Sequence, residues 1–190
     1  MLQLGVFKTS KPVRLNRILG FTIIELVTVI LIVGIIAAVS FARLFDSEQL
    51  NGIMVRDRII AAARTAQQNA LGRADVELTI TPNGGATEVT IATSDAGGTI
   101  QSFIVSLDSV SLSGDINNTD SCAITTGAAS ITSSNPMTLA FEELGDLTTS
   151  GVTGSTGTPT SALRICINDI INESICVSPS GFAYSGDCDT

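Results

Sequence analysis

The chain has 190 residues, 44% hydrophobic and 15% charged, with 10 Lys and Arg against 18 Asp and Glu, and it contains neither His nor Trp. That length fits one ordinary domain plus a short extra segment, and the composition is too apolar and too weakly charged for a disordered chain. Without His, and without any Lys beyond Lys11, the usual general base and the Ser/Lys dyad are missing, so no catalytic residue, enzyme activity or cofactor is expected.

Residues 1–20 hold Lys8, Lys11, Arg14 and Arg17 and no acid, which leaves a net −12 beyond Gly20 against −8 for the whole chain. A body of that sign repels a phosphate backbone and disfavours direct nucleic-acid binding. Residues 21–42 follow as an apolar run whose one charge is Glu25. As a helix the run would extend roughly 33 Å, enough to cross a bilayer core. A secretory signal with a Ser40-Phe41-Ala42 cleavage site would have a shorter apolar core, of roughly 7–15 residues. A plain membrane anchor has the right length but no use for the acid, whose burial costs about 2.5–3.5 kcal/mol. Such a carboxylate needs a cationic partner, and the segment offers none at helical spacing.

The residues Arg17-Ile18-Leu19-Gly20-Phe21-Thr22-Ile23-Ile24-Glu25-Leu26 resemble the class III signal of type IV prepilins and pseudopilins. The resemblance implies cleavage after Gly20 by a prepilin peptidase, methylation of the new amine on Phe21, and pairing of Glu25 with the Phe21 amine of a neighbouring subunit. It also implies a type IV pilin-like α+β fold, in which a long N-terminal helix packs on an antiparallel sheet domain. The partners implied are other pilin subunits and an inner-membrane assembly platform. The implied locations are the inner membrane, with the domain in the periplasm, and later a filament at the cell surface. Gly34 stands mid-helix, where the family often has Gly. The Pro that many members carry further along is absent from Ala38-Val39-Ser40-Phe41-Ala42, so no Pro kink is expected.

Residues 43–73 continue the helical period as an amphipathic segment. Leu50, Ile53, Met54, Ile60, Ala63, Gln67 and Ala70 are the expected buried face, with Arg56, Asp57, Arg64 and Gln68 interleaved. Asp46 or Ser47 is the expected cap and Gly72 the stop. Residues 74–190 turn to period two. Residues 76–81 and 87–93 alternate around Pro82-Asn83-Gly84-Gly85 and predict a hairpin. Further strands are expected over 99–107, 110–112, 122–126, 137–141, 163–168, 175–178 and 182–184, making an antiparallel sheet with one face covered by the helix. The Thr, Ser and Gly run over 148–159 is expected to be a surface loop.

Cys122, Cys166, Cys176 and Cys188 predict two disulfides in an oxidising compartment, with three connectivities open. A hairpin of 163–168 with 174–178 favours Cys166 with Cys176, leaving Cys122 for Cys188. With no C-x-x-C and no His, a metal centre is not expected. Asp115-Ile116-Asn117-Asn118-Thr119-Asp120 lacks the central Gly and terminal Glu of a calcium loop and reads as an Asx-rich turn. Glu142-Glu143 and Asp187-Cys188-Asp189 read as solvated surface.

The stretch Arg58-Ile59-Ile60-Ala61-Ala62-Ala63-Arg64-Thr65-Ala66-Gln67-Gln68-Asn69-Ala70 is similar to the minor-pilin and minor-pseudopilin branch, as is Val177-Ser178-Pro179-Ser180-Gly181. With the four cysteines, the resemblance leans to minor pilins of the mannose-sensitive haemagglutinin type. The implied function is a structural pilus subunit supporting adhesion or surface attachment. The alternative is a minor pseudopilin of a type II secretion system. A binding-module reading, as an adhesin or a DNA-capture tip, meets the −12 charge as an obstacle to unassisted DNA capture.

Overall fold

The loss of uniform apolarity near residue 45 coincides with a division of the chain into two units, Met1–Phe45 and Asp46–Thr190. A computed structural model describes residues 21–44, 47–108, 110–116, 122, 128–168, 172–186 and 188, without the side chains of 38–49. The basic segment 1–20 lies outside the described residues. In the first unit, α1 spans Ile23–Leu44.

In the second unit, α2 spans Ser47–Ala70. The junction expected to make one continuous helix, and Asp46 as its cap, lie outside the described residues. The helix stops where expected: Gly72 takes a φ of +77°, a conformation that costs a residue with a Cβ, and its N–H reaches Glu143 O at 3.0 Å. The buried face matches the expected one at Ile60, Ala63 and Ala70 and differs from it toward the start of the helix. Val55, Ile59, Ala62, Ala63, Ala66 and Ala70 are buried, whereas Leu50 and Met54 are each 55% exposed. Small residues let the helix axis come close to the strands beneath, so the seam follows the alanines and not the largest side chains.

The strands are β1 (Val76–Pro82), β2 (Glu88–Asp95), β3 (Gly98–Ser106), β4 (Ser111–Asp115), β5 (Ala129–Ile131), β6 (Met137–Phe141), β7 (Ser150–Val152), β8 (Ser155–Gly157), β9 (Leu163–Asn168), β10 (Glu173–Val177) and β11 (Ala183–Ser185). The β1–β2 hairpin forms as predicted. Asn83 holds its turn by accepting Thr87 N–H on Oδ1 at 2.9 Å, while its carbonyl accepts Ala86 N–H at 2.9 Å.

Two expectations need correction. The strands make two antiparallel sheets instead of one, ordered β3-β2-β1-β6-β7-β8 and β11-β10-β9-β4-β5. The 148–159 segment, expected as a plain loop, contains the β7–β8 hairpin. It adds to β6 through Met137↔Val152 and Thr138↔Gly151, and Ser150 Oγ accepts Ala140 N–H at 3.1 Å. Its order comes from backbone pairing to a neighbour, which needs no apolar alternation. Of the strand expected over 122–126, only Cys122 is described.

One hydrophobic cluster joins α2 to both sheets, with Val55 and Ile59 from the helix, Leu78, Ile80 and Leu139 from one sheet and Ile165 and Ile175 from the other. The sheets approach each other at Gly114 in β4, where a Cβ would meet Met137 Sδ at 2.6 Å. Polar contacts fasten α2 at the β10–β11 end. Arg56 pairs with Glu173 at 2.6 Å, Arg64 donates to Ala183 O at 2.9 Å, and Gln67 Nε2 donates to Ser180 O at 2.7 Å. The Glu173 carboxylate, against some desolvation, raises the Arg56 guanidinium pKa above its ordinary value, so the guanidinium stays charged throughout the neutral range and gives up its proton only in strong alkali.

Gly181, at φ +80°, sits where a Cβ would overlap Gly145 O and crowd Gln67 Nε2 at 3.1 Å. Gly181→Ala should cost about 3 kcal/mol or more by strain and overpacking. Gly84→Ala, which meets nothing within 4 Å, should leave the melting temperature nearly unchanged. Thermal denaturation of the two variants checks the difference.

Candidate functional site

Two sets of side chains carry the sequence-based expectations, one at the start of α1 and one in the disulfide-bearing domain. Phe21 and Thr22 precede the helix, and Thr22 caps it: its Oγ1 accepts the Glu25 N–H at 3.3 Å and its carbonyl accepts the Leu26 N–H at 3.1 Å. Thr22 and Glu25 thus have the spacing of a capping box. The Thr-x-x-Glu pattern is the sequence signature of this cap.

Glu25 lies in the first turn, where the helix macrodipole favours an acid by about 0.3–1 kcal/mol. That is smaller than the cost of about 2.5–3.5 kcal/mol for placing the acid inside a membrane. Around it the helix is apolar on every side. All described side chains over 21–37 are exposed, Phe21 by 75% and Ile23 by 84%. Thr28 turns its hydroxyl back to Glu25 O at 2.9 Å, so it adds little free polarity to this surface. A helix apolar all round is stable only when something covers it. Phe21 and Glu25 are therefore brought to one helix start, four residues apart, while Gly20 lies outside the described residues. Gly34 has no neighbouring atom within 4 Å of an added Cβ. Over 23–37, where its side chains are described, α1 is shorter than the roughly 17–25 residues of a membrane span.

The four cysteines form two disulfides, as expected, but the favoured pairing is wrong: the bonds are Cys122–Cys166 and Cys176–Cys188. The reason is register. In the β9–β10 hairpin Cys166 lies opposite Ser174 and Cys176 opposite Arg164, so the two cysteines are diagonal neighbours. Diagonal positions lie about 7–8 Å apart, beyond disulfide reach without backbone movement. Cys166 bonds instead to a residue before β5, and Cys176 to one after β11.

Among the described residues, the remaining candidates do not assemble into a reactive site. Asp115 closes β4 opposite Arg164, while Asn117, Asn118 and Asp120 lie outside the described residues. Glu142 and Glu143 are exposed in the turn after β6. No group of three His, Cys, Asp or Glu side chains gathers among the described residues. A cleft of about 660 Å³ lies between the β1–β2 turn and β5, with a neutral lining that includes Asn83, Ser113 and Asn168. Its amides are engaged internally, Asn83 with Thr87 and Asn168 with Ser113. No family model, curated protein or solved structure matches the chain.

Peptide mapping without reduction should recover Cys122 linked to Cys166 and Cys176 linked to Cys188. Loop-closure entropy assigns about 4 kcal/mol to the bond spanning 44 residues and about 3 kcal/mol to the one spanning 12. Cys122→Ser with Cys166→Ser should accordingly lower the melting temperature more than the Cys176, Cys188 pair of substitutions.

Proposed function

We propose that this chain is a structural, minor subunit of a type IV pilus of the mannose-sensitive haemagglutinin type. It is made as a prepilin, cleaved after Gly20, methylated on Phe21 and assembled into a filament through its N-terminal helix. The observation that carries the reading is a single carboxylate, Glu25, in the first turn of a helix whose described side chains are otherwise apolar or hydroxylic and exposed on every side. Each large apolar side chain there gains roughly 1.5–3 kcal/mol on burial, so bundling such helices is strongly favourable. The acid opposes that burial unless a cation accompanies it, and the helix dipole offsets only part of the cost. Cleavage before the apolar run would create that cation, the Phe21 amine, at the same end of the same helix.

In this reading the helix holds the subunit in the inner membrane until the assembly platform extracts it, and the domain folds in the periplasm. Two disulfides suit that oxidising compartment. The α+β domain, with α2 laid across antiparallel strands, is compatible with a pilin-like fold and forms the outer face of the filament, where it supports adhesion.

Expression in a pilus-bearing host separates processing from assembly. Glu25→Val should leave the precursor cleaved and the mature chain in the membrane, with incorporation into sheared filaments reduced by at least about tenfold, a deficit of about 1.4 kcal/mol. Gly20→Val should instead leave an unshifted precursor band. Normal incorporation of the Glu25 variant would refute the assembly role.

A further inference from the structure

The chain holds two Asn-Gly pairs, Asn51-Gly52 and Asn83-Gly84, and the fold treats them differently. Gly52 stands in the second turn of α2, where backbone N–H groups are engaged within the helix. Asn83 and Gly84 stand exposed in the β1–β2 turn. The Asn83 side chain folds over that turn onto its far side. Its Oδ1 accepts Thr87 N–H at 2.9 Å and Glu88 N–H at 3.4 Å, and its Nδ2 donates to Thr87 Oγ1 at 3.0 Å. Among the described residues, the Gly84 N–H has no acceptor. A Cβ added to Gly84 would meet nothing within 4 Å, so this peptide group is open to water. Asn83 also lines the neutral cleft of about 660 Å³ beside the turn.

We propose that Asn83 is a self-deamidation site. The Gly84 backbone nitrogen, its proton taken by solvent hydroxide, attacks Asn83 Cγ. The new N–Cγ bond closes a succinimide ring, and the Cγ–Nδ2 bond breaks to release ammonia. The N–H groups on Oδ1 draw charge from Cγ and stabilise the oxyanion of the tetrahedral intermediate. The Thr87 donor at 2.9 Å supplies most of this, since the Glu88 contact at 3.4 Å is long. The Thr87 hydroxyl, already beside Nδ2, gives a proton to the departing nitrogen and regains one from water. Gly84 brings no Cβ to obstruct the attack and has the backbone freedom to turn its nitrogen toward Cγ. Water then opens the ring at either carbonyl, leaving aspartate or isoaspartate at position 83. Each event sets a carboxylate on the neutral cleft, next to Glu88, and removes the Nδ2 donor from Thr87. Asn51 is spared because α2 holds the Gly52 nitrogen. The reaction uses no part of α1 and does not depend on cleavage after Gly20.

Peptide mapping by mass spectrometry tests this on the full chain, purified in detergent and incubated in mildly alkaline buffer. The peptide holding Asn83 should gain, with time, the mass of an acid for an amide and yield both aspartate and isoaspartate, while Asn51 stays an amide. Gly84→Ala, which has room in the fold, should slow the conversion at least about tenfold. Thr87→Val keeps the backbone donors and removes only an exposed hydroxyl. It should slow the conversion several-fold with the melting temperature unchanged. An Asn83 that stays intact, equal conversion at Asn51, or a rate that Thr87→Val leaves unmoved or raises would each overturn the proposal.

Discussion

Helix α2 presents small side chains to two sheets at once, and the domain is organised around that contact. Ala62, Ala63, Ala66 and Ala70 admit the helix close enough for Val55 and Ile59 to reach a core that neither sheet completes alone. Arg56, Arg64 and Gln67 then fix the rotation of the helix, because each reaches β10, β11 or the turn between them. The two disulfides act at the periphery of the same sheet. Cys122–Cys166 ties the segment before β5 to β9, and Cys176–Cys188 ties the residues after β11 to β10. The five-stranded sheet is thus fastened both to the helix and to its own flanking segments.

The N-terminal helix faces the opposite problem. Its described side chains have nothing over them, and Thr22 defines where the helix begins and leaves Phe21 outside it. Capping and the helix dipole give Glu25 a local role worth under about 1 kcal/mol, which is too little to carry a carboxylate into an apolar environment. The proposed assembly meets both needs together, since helices that cover one another can also bring an amine to the acid. Charge is divided in the same sense. All Lys residues lie in the segment removed by the proposed cleavage, and the remaining chain is strongly acidic.

Much of this was legible in the sequence, and the failures have physical causes. The β1–β2 hairpin was plain because Val76 to Thr81 and Thr87 to Thr93 alternate around an Asn-Gly-Gly turn, and β6 and β9 stood out as short apolar strands. The helical period places Ile60, Ala63 and Ala70 on the seam correctly, but it also points to Leu50 and Met54, which stay exposed because close approach selects for size and not for hydrophobicity. The β7–β8 hairpin was invisible because Ser, Thr and Gly carry no alternating signal and owe their order to β6. The disulfides were counted correctly and paired wrongly because connectivity depends on a two-residue offset in the β9–β10 register, which composition does not encode. At the helix start the cap at Thr22 rests on its spacing to Glu25, a signal that the pilin-like motif does not point to.

Cleavage after Gly20 with retention of the apolar helix is the step from which the proposed assembly follows. Its most direct test is the intact mass of the chain recovered from its native cell envelope or filaments, read with its N-terminal fragment ions. The account predicts a chain that begins at Phe21, carries one methyl group on its amine and retains both disulfides. A chain that still carries residues 1–20, or one cut after Ala42 so that the helix is lost, would contradict it.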